Sequence, residues 1–300
     1  MTKPALNLLI GCDPEVFMKN PNTGAFVSAH GAIPGTKFEP FKVRNGAVQV
    51  DGNALEFNIE PAASAEQFVG NVLDVFEQMK AMVPGYNVVV EPIAVFDDAY
   101  FASLPDEARE IGCQPDWNAY TGEQNVRPES KASIRAAGGH IHLGWTKDVD
   151  PFDPNHFDDC RAVVKQLDHF LGTYSLCWDK DSTRRGMYGK AGAFRPKPYG
   201  VEYRTLSNAW LKSPELIRWV YDHTRLACEV LYSGKFEAER SFRNTAQHII
   251  DKNNYNWNYS FGEYIPRNVP TFLPPPGGTW AKGHEVKKPR SKKAVAAEMN

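Results

Sequence analysis

Four short patterns set polar side chains two residues apart in apolar or glycine-rich surroundings. They are Asp13-Pro14-Glu15, Glu56-Phe57-Asn58-Ile59-Glu60, His140-Ile141-His142 and Glu202-Tyr203-Arg204. Side chains alternate across a β-strand, so each pattern read as a strand puts its polar members on one face. In the second, Leu55, Phe57 and Ile59 fall on the opposite, apolar face. A sheet face carrying carboxylates, imidazoles and a guanidinium suits a divalent cation together with phosphate. Hard cations take oxygen ligands and leave positions for water and phosphate. Glu15, Glu56 and Glu60 are the candidate metal ligands, with Asp13 and Asp51 in reserve. His140 and His142 suit metal ligation or contact with a transferred phosphoryl group. Glu202 offers a further carboxylate for metal, and Arg204 a cation for negative charge developing in a transition state.

Each pattern also has a plainer reading. An isolated Glu-x-Glu is usually solvated surface, and a Glu/Arg pair two apart can be an exposed ion pair of little worth. Two histidines on one strand, framed by Gly138, Gly139 and Gly144, favour function over a lone structural imidazole. Residues 184–195 interleave Arg184, Arg185, Lys190 and Arg195 with glycines, and Lys197 follows in the same basic stretch. They read either as a flexible loop or as a phosphate contact in which guanidinium forks and backbone amides meet phosphate oxygens. The segment is no P-loop, because the G-x-x-x-x-G-K-[ST] spacing is absent.

These patterns need strands to carry them, and the chain supplies strand and turn signals in order. Residues 5–18 read as a first strand, and 37–63 as hairpin strands turned by Asn45-Gly46 and Asp51-Gly52. Ser64 with Gln67 resembles a capping box that opens an amphipathic helix to about Met82. Residues 86–96 read as the next strand, 97–132 as an irregular insertion, and 132–145 as the strand with the two histidines. Asp153 or Asn155 caps a helix to about Leu176. Residues 179–200 read as an Arg/Gly loop, 201–210 as a strand, and Ser213-Pro214 starts a helix to about Leu231. A further helix is expected near 237–250. The segment from Pro274 is proline-rich and then basic, which predicts disorder or an extended arm. Strands broken by helices without a βαβ rhythm predict an α+β fold on an antiparallel sheet.

The chain has 300 residues, 42% hydrophobic and 23% charged, which is enough for one large domain or two ordinary ones. A formal charge of −2 gives no bulk electrostatic signal for nucleic acid. Five scattered cysteines without a CxxC pair point to neither a zinc knuckle nor a disulfide framework. The apolar run near the N-terminus is too short to span a membrane and no signal peptide is evident, so the expected setting is the cytoplasm.

Taken in order, the GCDPE strand end, the E-x-N-x-E strand, GGHIHLG, the Arg/Gly loop and EYR resemble the carboxylate–amine ligase superfamily of glutamine synthetase and glutamate–cysteine ligase. More closely, they resemble the phage phiEco32-like COOH–NH2 ligases, the second amidoligase type. The resemblance runs over about residues 8–232. It implies one catalytic domain over 1–270 on a curved antiparallel sheet of the glutamine synthetase type, backed by helices, with 271–300 as a tail. It implies ATP and Mg²⁺ or Mn²⁺ as cofactors, and amide formation between a carboxylate and an amine substrate through an acyl phosphate. By position, Glu15, Glu56, Glu60, His140 and Glu202 match metal ligands, and His142 a phosphate-side partner. Arg204 matches an arginine on the transferred phosphoryl group or the acid. Arg184, Arg185, Lys190 and Arg195 match the cations on ATP phosphates, and Glu60 also matches a proton acceptor near the amine. A phage source would place the protein in the host cytoplasm. Three rivals stay open: another ATP-dependent phosphotransferase on the same fold, a metal-dependent hydrolase, and a non-enzymatic phage-associated binding protein.

Overall fold

The computed structural model describes residues 7–109, 116–126, 131–234 and 245–253. The strands are β1 (Leu9–Lys19), β2 (Phe26–Val27), β3 (Phe41–Val43), β4 (Gly46–Asp51), β5 (Ala54–Ile59), β6 (Asn87–Val89), β7 (Ile93–Val95), β8 (Trp117–Asn118), β9 (Ile134–Ala136), β10 (Gly139–Gly144), β11 (Ala193–Lys197) and β12 (Gly200–Tyr203). The helices are α1 (Ala65–Ala81), α2 (Asp98–Ser103), α3 (Asp106–Arg109), α4 (Pro154–Leu167), α5 (Thr173–Ser175), α6 (Thr183–Met187), α7 (Pro214–Tyr232) and α8 (Thr245–Asp251). A ten-stranded sheet runs β3-β4-β5-β1-β10-β12-β11-β8, with β2 and β6 paired to the far end of β1. The pairs within it are antiparallel, so the expected α+β class on an antiparallel sheet is borne out. None of the helices among the described residues is long and apolar enough to cross a membrane.

The sheet has two unlike faces because its sequences alternate. Ile10, Cys12 and Val16 of β1, Leu55 and Phe57 of β5, Ile141 and Leu143 of β10, and Val201 and Tyr203 of β12 form its buried apolar side. The amphipathic helices α1, α4 and α7 cover that side through Phe68, Val72 and Val75, Val163 and Val164, and Ile217 and Val220. Each such side chain removed from water contributes about 1.5–3 kcal/mol, which makes this layer the main source of stability. The other face is the cleft. A second cluster of Phe17, Phe96 and Phe101 packs at the far end of β1.

The caps follow the sequence signals. Ser64 accepts from the Gln67 amide, and Gln67 returns a bond to the Ala63 amide at 3.0 Å. Asp153, not Asn155, caps α4, accepting from Asn155 and His156 at 3.0 and 3.1 Å. Elsewhere the elements are finer than expected. The single strand read over 86–96 divides at Pro92, which has no N–H for a ladder; β6 joins β1, whereas β7 pairs with β9 in a separate two-stranded sheet. The strand read over 132–145 likewise divides into β9 and β10. The Arg/Gly segment is not a plain loop, since it holds α6 and β11. The 97–132 stretch carries α2, α3 and β8 in its described part. The expected tail over 271–300 lies outside the described residues.

The helix expected to reach Leu176 passes through a π-turn at Asp168–Gly172, an irregularity that usually has a local cause. Here it sets the fully buried Asp168 carboxylate beneath four donors. These are Tyr203 Oη at 2.7 Å, Thr205 Oγ1 at 3.1 Å, Tyr120 Oη at 3.0 Å and the Gly192 amide at 2.6 Å. One carboxylate thereby ties together β12, the entry to β11 and the turn after β8. Burial outweighs these donors and pushes Asp168 up to about 7 from 3.8. A raised carboxyl value means that its stabilising share is fully present below about pH 4 and is lost as pH rises to about 7. The difference between wild-type and Asp168→Asn stability should therefore change with pH across that window, by up to about 4 kcal/mol. Urea midpoints at several pH values measure it, and parallel profiles would refute it.

Candidate active site

Strand register assembles the cleft face residue by residue. Glu15 of β1 lies opposite Glu56 of β5, which lies opposite Gln49 of β4. On the other side of β1, Asp13 faces His140 and Gly11 faces His142. His142 faces Glu202, and Glu202 faces Arg195. Two groups of ligand atoms result, each within 4.8 Å of one another: Glu15, Asp51 and Glu56 in one, and Asp13, His142 and Glu202 in the other.

The two halves differ in charge compensation. In the first, burial lifts Glu15 to about 7, with Asp51 adding to the rise and the Gly138 amide opposing it. That amide donates to Glu15 Oε2 at 2.7 Å. Glu56 is raised well above the usual carboxylate range by burial and then by Asp13, Glu15 and Asp51. In the second half, burial would raise Asp13, but His142 and His140 outweigh it and hold the carboxyl far below its usual value. The contacts are His142 Nε2 at 2.9 Å and His140 Nδ1 at 3.4 Å. Glu202 is 1% exposed, yet Arg204, His142, Lys197 and His140 hold it well below the usual range. Its partners include Arg204 by direct ion pair, Lys197 Nζ at 2.7 Å and Arg195 Nη1 at 3.7 Å.

The histidines divide in the same way. Burial and then Arg204 push His140 down to about 4, so its ring is neutral at pH 7. Its Nδ1 meets Arg204 Nη1 at 3.2 Å. For His142, Asp13 overcomes burial and raises the value. The Tyr199 hydroxyl ties down its Nδ1. Glycines make this packing possible. A Cβ on Gly138 would stand 2.1 Å from His140 Nε2, and one on Gly139 would stand 2.3 Å from the Ser207 carbonyl.

The structure brings together Glu15, Glu56, His140, His142, Glu202, Arg204 and Arg195 from the set expected on sequence. It does not bring in Glu60. The pairing of β1 slips by one residue between Glu15↔Glu56 and Ile10↔Ala62, which ends the alternation that would have kept Glu60 in the cleft. Glu60 is exposed, and Pro61 lines the cleft instead. His142 joins Asp13 and Glu202 in the second ligand group, and His140 Nδ1 lies beside it, 3.4 Å from Asp13, 3.7 Å from Glu202 and 3.2 Å from Arg204 Nη1.

Arg184 and Arg185 are not open phosphate contacts. Arg184 donates to the Thr205 and Arg204 carbonyls at 2.9 and 3.1 Å, and Arg185 pairs with Asp179 at 3.0 Å. The α6 turn folds both inward, at 2% and 6% exposure. Lys190 is exposed on the turn before β11 and makes none of these site contacts. Arg204 is itself buried, held by Glu202, His140 and Asp116 Oδ1 at 2.6 Å. Asp13 and Asp51, held in reserve on sequence, and Lys197, read there among the basic residues suited to a phosphorylated ligand, join the site, as do Gln49, Tyr199 and Asp116, which the sequence reading passed over.

Above this floor lies a cleft of about 720 Å³, a size suited to a small organic ligand. Fold and site together define an α+β protein with a carboxylate, imidazole and guanidinium cleft on one antiparallel sheet face. Residues 131–247 match the family model for phage phiEco32-like COOH.NH2 ligase-type 2, so the family resemblance read from the sequence is borne out. The match takes in His140, His142, the 184–195 segment, Glu202 and Arg204, and leaves Glu15 and Glu56 outside it. The family's description is that of a ligase acting on carboxyl and amine groups. No curated protein matches the chain.

Proposed function

We propose that this protein is an ATP-dependent ligase that joins a carboxylate to an amine through an acyl phosphate, on a sheet of the glutamine synthetase catalytic type. The observation that carries the reading is the division of one cleft face into an under-compensated carboxylate half and a cation-rich half. The carboxylate half fits a hard divalent cation by its all-oxygen donor set. Glu15, Asp51 and Glu56 would hold one such ion, and Asp13, His142 and Glu202 a second. Bound Mg²⁺ or Mn²⁺ would neutralise phosphate charge, which is most of what phosphoryl transfer asks of a protein.

The chain's own residues do the rest. An acid oxygen bonds to the γ-phosphorus of ATP as the bridging P–O bond breaks and ADP leaves. The amine nitrogen then bonds to the acyl carbon, the C–O bond breaks, and phosphate departs. A carboxylate of the same face takes the proton that the amine sheds. Arg195 and Lys197 of β11 bring positive charge to the Glu202 end of this face, while Arg204 and His140 keep Glu202 and Asp13 in place.

Calorimetry with ATP, with and without Mg²⁺ or Mn²⁺, is the test. Metal-dependent binding is expected, followed by ADP release that requires an acid and an amine and yields an amide. Failure to bind millimolar ATP in the presence of metal would refute the reading. Release of ADP without amide would favour a phosphotransferase.

A further inference from the structure

The cleft changes character along its length. Its inner floor is the charged row of Asp13, Glu56 and His142. Beyond His142 the lining passes to Gly11, Gly144, Leu9, Pro61 and Tyr199, together with the exposed Lys147, while the Trp145 ring packs toward the helix layer, 6.0 Å from the His156 ring. A charged cleft that continues into an apolar and aromatic stretch suits a ligand with a matching part.

The two floor glycines sharpen the point. Gly138, Gly139 and Gly200 are demanded by the fold, since a Cβ on any of them would stand 2.1–2.3 Å from its nearest neighbour. Gly11 and Gly144 are not. A Cβ at Gly11 would meet His142 Cβ at 3.7 Å, and one at Gly144 would meet nothing closer than 3.8 Å, which is ordinary contact. Neither residue has left-handed backbone. Internal packing and chain conformation leave both positions free to carry a side chain, yet both are bare where they line the cavity. A glycine in a strand interior costs stability and marks close approach by something else. Above them, Tyr199 is tied by its hydroxyl to His142 Nδ1, so its ring is held in one place at 37% exposure. The result is a bare backbone floor beside one fixed aromatic ring.

We propose that this half of the cleft is a subsite for a planar ring, carried either by the nucleotide as its base or by the acid or amine substrate. This rests on the ligase reading of the neighbouring charged half. A ring stacked on Tyr199 gains dispersion and quadrupole contacts that an aliphatic chain would not. Side chains added at the two glycines would occupy the space that the ring needs.

Saturation-transfer NMR and calorimetry with two probes, AMP and N-acetyl-phenylalaninamide, test the inference on wild type, Gly11→Val, Gly144→Val and Tyr199→Leu. Ring protons of at least one probe are expected to receive saturation in wild type. Each variant should weaken that probe by about tenfold or more. Gly11→Ala and Gly144→Ala, whose added Cβ atoms fit, should melt with wild type and give intermediate affinities. Loss confined to AMP assigns the nucleobase, and loss confined to the amide assigns the substrate ring. The inference is overturned if neither probe binds wild type, or if binding is indifferent to all five substitutions. Ring binding by a protein that takes up no Mn²⁺ and no ATP would refute the ligase reading and leave the subsite standing.

Discussion

Replacing Glu56 by Gln is expected to leave the metal-free protein at least as stable as wild type, while cutting metal-dependent ATP binding and turnover about 100- to 1,000-fold. The two effects share one cause. Glu56 is 8% exposed, and burial together with Asp13, Glu15 and Asp51 makes its ionised form unfavourable. A like-charged cluster of this kind destabilises the empty fold and becomes favourable when a cation fills it. Gln keeps the shape and can still bond Gln49, so the empty protein loses a repulsion and no volume. The ion loses an anionic ligand. Thermal denaturation without metal and with Mn²⁺ separates the two, because Mn²⁺ should raise the melting temperature of wild type and do little for the variant. Equal stabilisation of both proteins by Mn²⁺ would show that the ion sits elsewhere.

That experiment depends on residues that a single sequence exposed unequally. Strand alternation made Glu15, Glu56, His140, His142 and Glu202 legible, since period two survives wherever register is regular. It failed at Glu60, where a one-residue slip against β1 undoes the pattern and no local residue type announces the slip. The Arg184-Arg185 pair misled for a different reason. Arginine serves equally to cradle phosphate and to satisfy buried carbonyls, and only the inward turn of α6 decides between them. Asp116 sits in an irregular stretch and reaches Arg204 only through tertiary folding. Lys197 was legible with Arg195 as part of a basic stretch suited to a phosphorylated ligand, and both prove to lie on β11. The same limits apply to the fold. Helices with caps and apolar stripes were read closely, whereas the divisions at Pro92 and at the π-turn depend on partners distant in sequence.

Glu202→Gln, which looks equally conservative, is expected to behave in the opposite way and destabilise the fold by about 3–5 kcal/mol. Glu202 is almost wholly buried, with Arg204, Lys197, Arg195 and the two histidines around it. Its ionised form is the one that this environment favours. Removing its charge leaves the buried Arg204 beside the half-buried Lys197 and Arg195, with Asp13 and Asp116 too few to balance them. The melting temperature should fall by roughly 10 °C. Loss of turnover in this variant would then report a weakened fold as much as a missing ligand, so Glu56→Gln is the cleaner probe of the metal. The electrostatic cause has its own check. Adding Lys197→Gln to Glu202→Gln removes one excess cation and should recover a measurable part of the lost stability, although Lys197→Gln alone should cost some. A double variant no more stable than Glu202→Gln would mean that the loss comes from packing or hydrogen bonding around Glu202. A single variant as stable as wild type would mean that Asp116 and Asp13 already neutralise the arginines between them.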